Sequence, residues 1–397
     1  MQTHNKKSFG DLTFWLYLYL YKRQIRQTMG LKVYSATLNM GEISSDNIKK
    51  VLGETPREGV CGVVFCGTSD SIGYHQLLGQ LKSVLFDVLG RRVPVTLIPQ
   101  YLLPNGGLSV AVYSVEGAEI SIREDNGVCY GIIEGSKETL LFIEGIAASD
   151  FSQSVKLQSQ EVFSRLDGIL SACGFAVDDI VRQWNYIGGI VGCRDGKQNY
   201  QEFNDARTVY YSGGNWQHGY PAATGIGAEG EGIVVGCIAF KSASGAIYPI
   251  DNPLQVAAHV YSEKVLIDNA AGAMKSTPKF ERAKVIVTGR GACCFVSGTA
   301  AIRGEQSVDA SSVEQQTIRT IENITHLVSK QNLVRYGCSP YELKYAQLQV
   351  FIKYAEDYEV VKNVVEQAFP NLNVLYSIAD VCRSELLVEI EGILISQ

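Results

Sequence analysis

Two carboxylates, one thiol and one guanidinium are the side chains best suited to chemistry in this chain. Glu389 and Glu391 are two residues apart, the spacing that puts both on one face of a strand, beside the apolar Leu387 and Val388. A carboxyl held in a partly apolar cleft has a raised pKa and can act as a general acid near neutrality. The same pattern also suits an edge strand with a solvated acidic face. Cys382 stands seven residues before Glu389 and, taken alone, reads as a small core side chain. A second cluster covers Trp184-Asn185-Tyr186, Tyr200 to Arg207, and Tyr210-Tyr211. There Arg207 can clamp a carboxylate bidentately while phenols such as Tyr200 and Tyr211 fix a polar ring. The competing reading is an aromatic-rich helix packed on a sheet, with Arg207 in a surface ion pair.

Other chemistries find little support. The stretch Gly225 to Gly232 is glycine-rich, but it carries Glu229 and Glu231 and no Lys-Ser/Thr follows, so it is a poor phosphate loop. No GxSxG elbow is present, which argues against a triad hydrolase. The 5 histidines, His4, His75, His218, His259 and His326, show no metal-ligand spacing, and none of the 10 cysteines falls in a CxxC pair. The expectation is a protein of the reducing cytoplasm with no metal and no cofactor.

The elements that position these residues come in two copies. Phe142-Ile-Glu-Gly-Ile-Ala-Ala148 and Phe295-Val-Ser-Gly-Thr-Ala-Ala301 share a pattern. Each is followed by a helical periodicity, over Phe163, Leu166, Ile169 and Leu170 in the first copy and Ile318, Ile321 and Ile324 in the second. Gln160 and Gln315 stand near the helix starts, and apolar strands follow over 180–187 and 346–352. Further strands are expected over 108–114, 232–240, 283–288 and 385–394, with a linker near 245–280. A chain of 397 residues exceeds one ordinary core, and its 46% apolar content suffices to bury two. The division expected is a tail over 1–29, one domain over 30–250 and a second over 251–397 that carries the Glu389 strand.

The net charge is −6, and five basic side chains lie in the first 29 residues against Asp11 alone, so the remainder is more acidic still. Such a body has no general attraction for phosphate backbones, and nucleic acid is not an expected partner. The aromatic run 14–21 is too short to span a membrane, which takes about 20 apolar residues. It reads either as sequence upstream of a start at Met29, or as an added strand or surface segment, or as a membrane-associating stretch; no membrane partner is expected of the body.

Several motifs in order resemble the chorismatase family: Trp184-Asn-Tyr-Ile187, Tyr200 to Arg207, Pro221 to Gly227, Asn252-Pro-Leu-Gln255, Thr277 to Ala283, Phe295 to Ala301 and Asp380 to Gly392. The resemblance covers much of 140–397 and is loose before that. It implies an α/β (α+β) protein of two tandem YjgF/RidA-like, chorismate-mutase-like domains, each a mixed sheet with helices packed on one face. It also implies cleavage of chorismate to pyruvate and a cyclic carboxylic acid, either 3-hydroxybenzoate or a dihydroxycyclohexadiene carboxylate, without metal or organic cofactor. By that likeness Glu389 matches the family's acid/base glutamate and Cys382 the cysteine of the 3-hydroxybenzoate-forming branch. Arg207, with Tyr211, matches the Arg/Tyr pair on the substrate, and Tyr200 is a further expected substrate-binding residue.

Lys353 is expected to supply a second cation for the dianion, where the family would have Arg. Arg303-Gly304-Glu305-Gln306 departs from the family's usual Val-Gly-His, and Glu305 facing the substrate would oppose an anion. The alternatives are a RidA-type enamine/imine deaminase, suggested by the repeat, and a non-catalytic binder of a small cyclic carboxylate, suggested by Glu305 and Lys353. Association into an oligomer is compatible with the sequence.

Overall fold

The computed structural model describes residues 30–38, 44–53, 57–67, 73–194, 196–243, 246–262, 276–338 and 341–396. The tail 1–29, and with it the aromatic run and Met29, lies outside the described residues, as does part of the expected linker. No helix among the described residues is long and apolar enough to cross a membrane.

Three larger sheets organise the described chain. The first contains β1 (Gly30–Leu38), β2 (Val60–Gly67), β3 (Val95–Pro99) and β4 (Leu108–Glu116), in the order β1-β4-β2-β3. Helices α1 (Ser45–Leu52) and α2 (Gly73–Leu89) connect β1 to β2 and β2 to β3. The second contains β5 (Glu119–Asp125), β6 (Val128–Glu134), β7 (Glu138–Ala147) and β8 (Ile180–Gly188), then β11 (Ala222–Ala228) and β12 (Ile233–Ser242). Its order is β11-β8-β12-β7-β6-β5. Helices α3 (Val155–Ala172) and α4 (Asn199–Tyr211) pack on it, and β9 (Cys193–Arg194) and β10 (Lys197–Gln198) form a short ribbon before α4.

The third sheet holds β13 (Ile247–Ile250), β14 (Ala283–Thr288), β15 (Gly291–Ala300), β18 (Leu343–Ile352), β19 (Val374–Ile378) and β20 (Val388–Ser396). They lie in the order β13-β14-β15-β20-β18-β19. A second ribbon, β16 (Ile302–Arg303) with β17 (Gln306–Ser307), follows β15. Helices α5 (Val313–Leu327), α6 (Lys330–Arg335) and α7 (Tyr358–Ala368) complete this unit.

Laid side by side, the second and third sheets have one topology. β5 corresponds to β13, β6 to β14, β7 to β15, β8 to β18, β11 to β19 and β12 to β20, and in both the parallel pair (β8 with β11, β18 with β19) is the outer one. The first sheet repeats the last four strands of that plan, with β1 for β7 and β4 for β12. The range 30–250, read from sequence as one domain, therefore contains two sheets. Its last four residues form β13, which pairs with β14 in the third sheet and lies within the expected linker. Each unit is the anticipated mixed sheet with helices on one face.

The helices cover the outer faces. Val162, Leu166 and Ile169 of α3 pack with Phe203 of α4 against the second sheet, and Ile324 of α5 and Val361 of α7 against the third. Ser154 and Ser312 cap the starts of α3 and α5, their hydroxyls accepting from the amides of Leu157 and Gln315. The inner faces meet in a common core where Tyr113, Phe142, Trp184, Phe295 and Phe351 pack together. With both faces covered, β8 is buried at every residue, so its polar side chains Arg182, Gln183 and Asn185 are buried along with its apolar ones.

The glutamines that the two units share are Gln158 and Gln316, not Gln160 and Gln315. Gln158 donates to the carbonyls of Phe151, Gln153 and Glu231 and accepts from Ile233 N at 3.0 Å. Gln316 donates to Glu385 O at 3.0 Å and accepts from Leu387 N at 2.8 Å. Each buried amide thus pins the turn that leads into β12 or β20. That turn occupies the first residues expected in the last strand, so β20 begins at Val388 rather than 385.

Candidate active site

β20 is an interior strand. Glu389 pairs with Ala300 of β15 on one side and Phe351 of β18 on the other, and it is 5% exposed. A solvated acidic edge is thereby excluded. The acidic face turns toward the second unit, across a cleft of about 920 Å³, its mouth included.

The two carboxylates have different surroundings. Glu391 accepts from Arg182 Nη2 at 2.7 Å and from Trp184 Nε1 at 3.1 Å, behind the cleft. Glu389 lines the cleft itself. Burial, reinforced by the negative charge of Glu391 and opposed by Arg182 and Arg282, pushes its pKa up to about 8. A carboxyl so placed is protonated at neutral pH and can give that proton away. Gly298 makes the arrangement possible, since a Cβ there would run into Oε1 of Glu389.

Cys382 lines the same cleft, in the segment leading to β20. Burial first, then the neighbouring Glu389 charge, pushes its thiol up to about 12. The sulfur is therefore a neutral thiol at physiological pH, a weak donor rather than a nucleophilic thiolate.

The second unit supplies the opposite wall through α4. Tyr200, Asn204 and Arg207 are spaced four and three residues apart, so they share one helix face, and all three reach the cleft. Arg207 is 1% exposed, which rules out a surface ion pair, and it has no ion-pair partner among the described residues. Its Nη2 donates to Asn204 Oδ1 at 2.6 Å, and its Nε finds no acceptor among the described residues. Gly225 leaves room for Tyr200, whose Cε2 lies 3.1 Å from where a Cβ would stand.

Two expected residues are not in the cleft. Tyr211, one further turn along α4, is buried in the second unit and donates its hydroxyl to Gln183 Oε1. The periodicity that aligns it with Arg207 also carries it beyond the cleft. Lys353 donates to the carbonyl of Ser384 at 2.5 Å at an exposed site, because its strand ends at Ile352 on the far side of the turn. Glu305 does not face the cleft either. Its carboxylate accepts from the amide and hydroxyl of Ser262, and its carbonyl accepts from Arg383 Nη1 at 3.0 Å.

In place of Lys353 stand Arg282 and Arg383. Arg282 is buried, donates from Nη2 to Val256 O at 2.8 Å and Tyr261 Oη at 2.6 Å, and has an Nε without an acceptor among the described residues. Its segment is anchored to both units: Glu281 N donates to Pro221 O at 3.0 Å, and Arg282 O accepts from Ser297 N at 3.0 Å. Arg383 also donates to Ser307 Oγ at 3.2 Å. Both arginines lie within the family-like motifs 277–283 and 380–392, so their positions were marked in the sequence without their role being apparent. Three guanidiniums and one protonated carboxyl thus line one cleft, a charge pattern that fits a small dianion.

Comparison with known proteins places these features. The family described as chorismatase FkbO/Hyg5-like, N-terminal, matches residues 112–239. A 3-hydroxybenzoate synthase of Streptomyces hygroscopicus is 32% identical over an alignment of 228 residues that covers 55% of this chain and 64%, less than two thirds, of that protein. A chorismatase of Streptomyces rapamycinicus is 30% identical over 242 residues, covering 58% of this chain and 68% of its own length. A chorismatase crystal structure has a TM-score of 0.69 at 22% identity and covers 92% of this chain and 99% of its own, a likeness of fold.

Proposed function

Because the chain belongs to the chorismatase family, we propose that it cleaves chorismate to pyruvate and 3-hydroxybenzoate in the cleft between its second and third units. The observation that carries this reading is the joint presence in that cleft of Arg207, Arg282, Arg383 and the neutral carboxyl of Glu389. Chorismate has two carboxylates, an enolpyruvyl ether and a ring hydroxyl. Guanidiniums meet carboxylates in bidentate geometry, and each charge-assisted hydrogen bond contributes about 1.5–3 kcal/mol.

Glu389 donates its proton to the enolpyruvyl methylene. The adjacent ether carbon becomes oxocarbenium-like and open to attack by the neighbouring ring hydroxyl or by water. Water gives a hemiketal, which returns a proton to Glu389 and breaks its bond to the ring oxygen as pyruvate leaves. The ring hydroxyl gives a cyclic ketal, in which the ring loses a proton and its bond to the attacking oxygen, becoming aromatic before pyruvate departs with that oxygen. Pyruvate and 3-hydroxybenzoate together contain the atoms of chorismate with none added, and the dihydroxycyclohexadiene carboxylate requires one water. Cys382, a neutral thiol beside the carboxyl, stands where it can steer the intermediate toward the aromatic product. Tyr200 borders the same space and offers its phenol to the ring.

The enamine/imine deaminase and the non-catalytic binder are not favoured. The relatives bear the names of chorismatases and a 3-hydroxybenzoate synthase, and Glu305 and Lys353, which motivated a binder, lie away from the cleft. The test is to incubate the folded protein with chorismate, follow pyruvate through lactate dehydrogenase, and identify the ring product by chromatography. Pyruvate with 3-hydroxybenzoate is expected; chorismate left intact by folded protein overturns the reading.

A further inference from the structure

A buried ion pair lies directly behind the cleft. Besides holding Glu391, Arg182 donates from Nη2 to Thr224 Oγ1 at 2.8 Å, stacks over the Trp184 ring at 4.6 Å and is 1% exposed. Thr224 Oγ1 accepts from Gly298 N at 3.0 Å, and Gly298 is the residue whose missing side chain accommodates the Glu389 carboxyl. A continuous path therefore runs from Glu391 through Arg182, Thr224 and Gly298 to Glu389. Arg182 Nε and Nη1 have no acceptor among the described residues. A buried guanidinium with unsatisfied donors strongly attracts any carboxylate within reach. The carboxylate it holds is Glu391, not Glu389.

The charged and titratable groups facing Glu389 are Glu391 on its own strand, Arg182 from β8 and Arg282 ahead of β14. Cys382 from the preceding segment and Tyr200 from α4 face it as well, with Arg207 and Arg383 across the cleft. Glu391 faces the phenols of Tyr113 on β4 and Tyr186 on β8. Of these groups, Arg182 alone contacts Glu391 while bracing, through Thr224, the backbone on which the Glu389 carboxyl rests.

We propose that, given the functional reading above, Arg182 and Glu391 act as a positioning pair for Glu389: Glu391 occupies the guanidinium so that Glu389 keeps no ion-pair partner behind it, while Arg182 braces Thr224 and Gly298 against the Glu389 carboxyl. Neither residue touches substrate. The pair acts through the proton that Glu389 carries, and the negative charge of Glu391 works in the same direction.

The decisive variant is Glu391→Gln, in which Arg182 turns to Glu389 and makes it a carboxylate. The basic limb of kcat is expected to move to lower pH by about one unit or more, with kcat near neutrality down about tenfold and KM within about twofold. The double variant Arg182→Met with Glu391→Gln removes both charges and returns the limb toward its wild-type position, which a purely structural role would not do. The ¹³C carboxyl resonance of Glu389, assigned by its loss in Glu389→Gln, reads the proton directly and without turnover. It is expected to be protonated at neutral pH in the wild type and the double variant, and ionised in Glu391→Gln. An ionised Glu389 in the wild type, or an unchanged titration in Glu391→Gln, overturns the pair's role whether or not chorismate is cleaved. If Glu391→Gln does not fold, an ionised Glu389 in the wild type or in the double variant still overturns the pair's role. The expected titrations without any pyruvate would instead bring down the functional reading alone.

Discussion

The junction between the first and second units follows the same plan as the one between the second and third, yet only the latter encloses the arginine-lined cleft. In both, a strand threonine accepts from the glycine of the repeated motif: Thr96 from Gly145 N at 2.7 Å, and Thr224 from Gly298 N at 3.0 Å. In both, the glycine makes room for a side chain of its neighbouring strand. At the first junction that side chain is Val234, whose Cγ1 lies 2.8 Å from where a Cβ would stand, and at the second it is Glu389. Where Ser297 accepts from Ala223 N, Glu144 accepts from Val95 N and pairs with Lys82 at 2.7 Å. Phe151 fills space against Tyr74 and His75 in the first turn of α2, the turn where α4 presents Tyr200. The backbone of the junction is thus a reusable frame. Chemistry arises where an apolar side chain is exchanged for a carboxyl and the adjoining space is left open to arginines.

The largest effect should come from exchanging the two distinguishing residues. Glu389→Gln is expected to lower the rate of pyruvate release about 100- to 10,000-fold while chorismate still binds. Val234→Glu, which places a carboxyl at the matching position without free guanidiniums, should gain no activity and lose several kcal/mol of stability in denaturant unfolding. Turnover retained in the first variant, or gained in the second, would break the comparison.

Glycine substitutions sharpen it. Gly298→Ala forces the Glu389 carboxyl aside, so a drop in kcat of about 10- to 100-fold is expected. Gly145→Ala presses on Thr96 and Val234 and should cost about 1–3 kcal/mol of stability with kcat of the surviving folded enzyme unchanged.

Among the cations, Arg282→Met and Arg383→Met should each raise KM for chorismate about 10- to 100-fold through the loss of one charge-assisted contact. Lys353→Met, which removes contacts to the Ser384 carbonyl and the Tyr354 ring away from the cleft, should leave KM where it was. Steady-state kinetics on the three variants separates the arginine cradle from the surface lysine.

The raised pKa of Glu389 makes a further prediction about stability. Between the ordinary glutamate pKa of about 4.3 and the folded value of about 8, the folded state holds a proton that the unfolded state has lost, so stability falls as pH rises through that window. The slope is about 1.4 kcal/mol per pH unit at most. Glu389→Gln should abolish this component, and its stability advantage over the wild type should grow from acid pH toward pH 8 in urea unfolding. Among the residues lining the cleft, the smallest effect on rate is expected for Cys382→Ala: kcat within about tenfold of wild type, with the ring product redirected. An unchanged product ratio on chromatography would remove the steering role.

Much of this was legible beforehand. The paired motif around Gly145 and Gly298, the periodicity of α3 and α5 and the two-residue spacing of Glu389 and Glu391 are local patterns, and each survives in the fold. What was not legible depends on distant partners. The choice between Glu389 and Glu391 turns on Arg182, some 200 residues away in the chain, and no spacing near β20 contains it. The first unit carries no copy of the Phe-x-x-Gly-x-Ala-Ala motif, and among the described residues it shows only the last four strands of the plan, so its kinship with the other two appears only in the order of its strands. Lys353 stands at the end of a strand in the second repeat, whereas the Arg282 guanidinium that lines the cleft comes from a segment anchored to both units. Tyr211 shows the same limit from the other side: helical phase predicts a face, not how far along the helix the cleft extends.

A single chain contains both junctions and a third between the third and first units, where Ile378 N donates to Tyr101 O and Asn373 Nδ2 to Ser35 O, each at 2.8 Å; β12 passes to β13 between Ser242 and Ile247. In an assembly of three identical subunits, every substitution would land three times, and a carboxyl placed at one junction would be imposed on the other two. Covalent linkage frees each junction to diverge alone. It also keeps the two walls of the cleft at a high effective concentration, on the order of millimolar for short linkers. Activity per molecule should then be independent of dilution, as it would not be if the cleft walls belonged to separate chains.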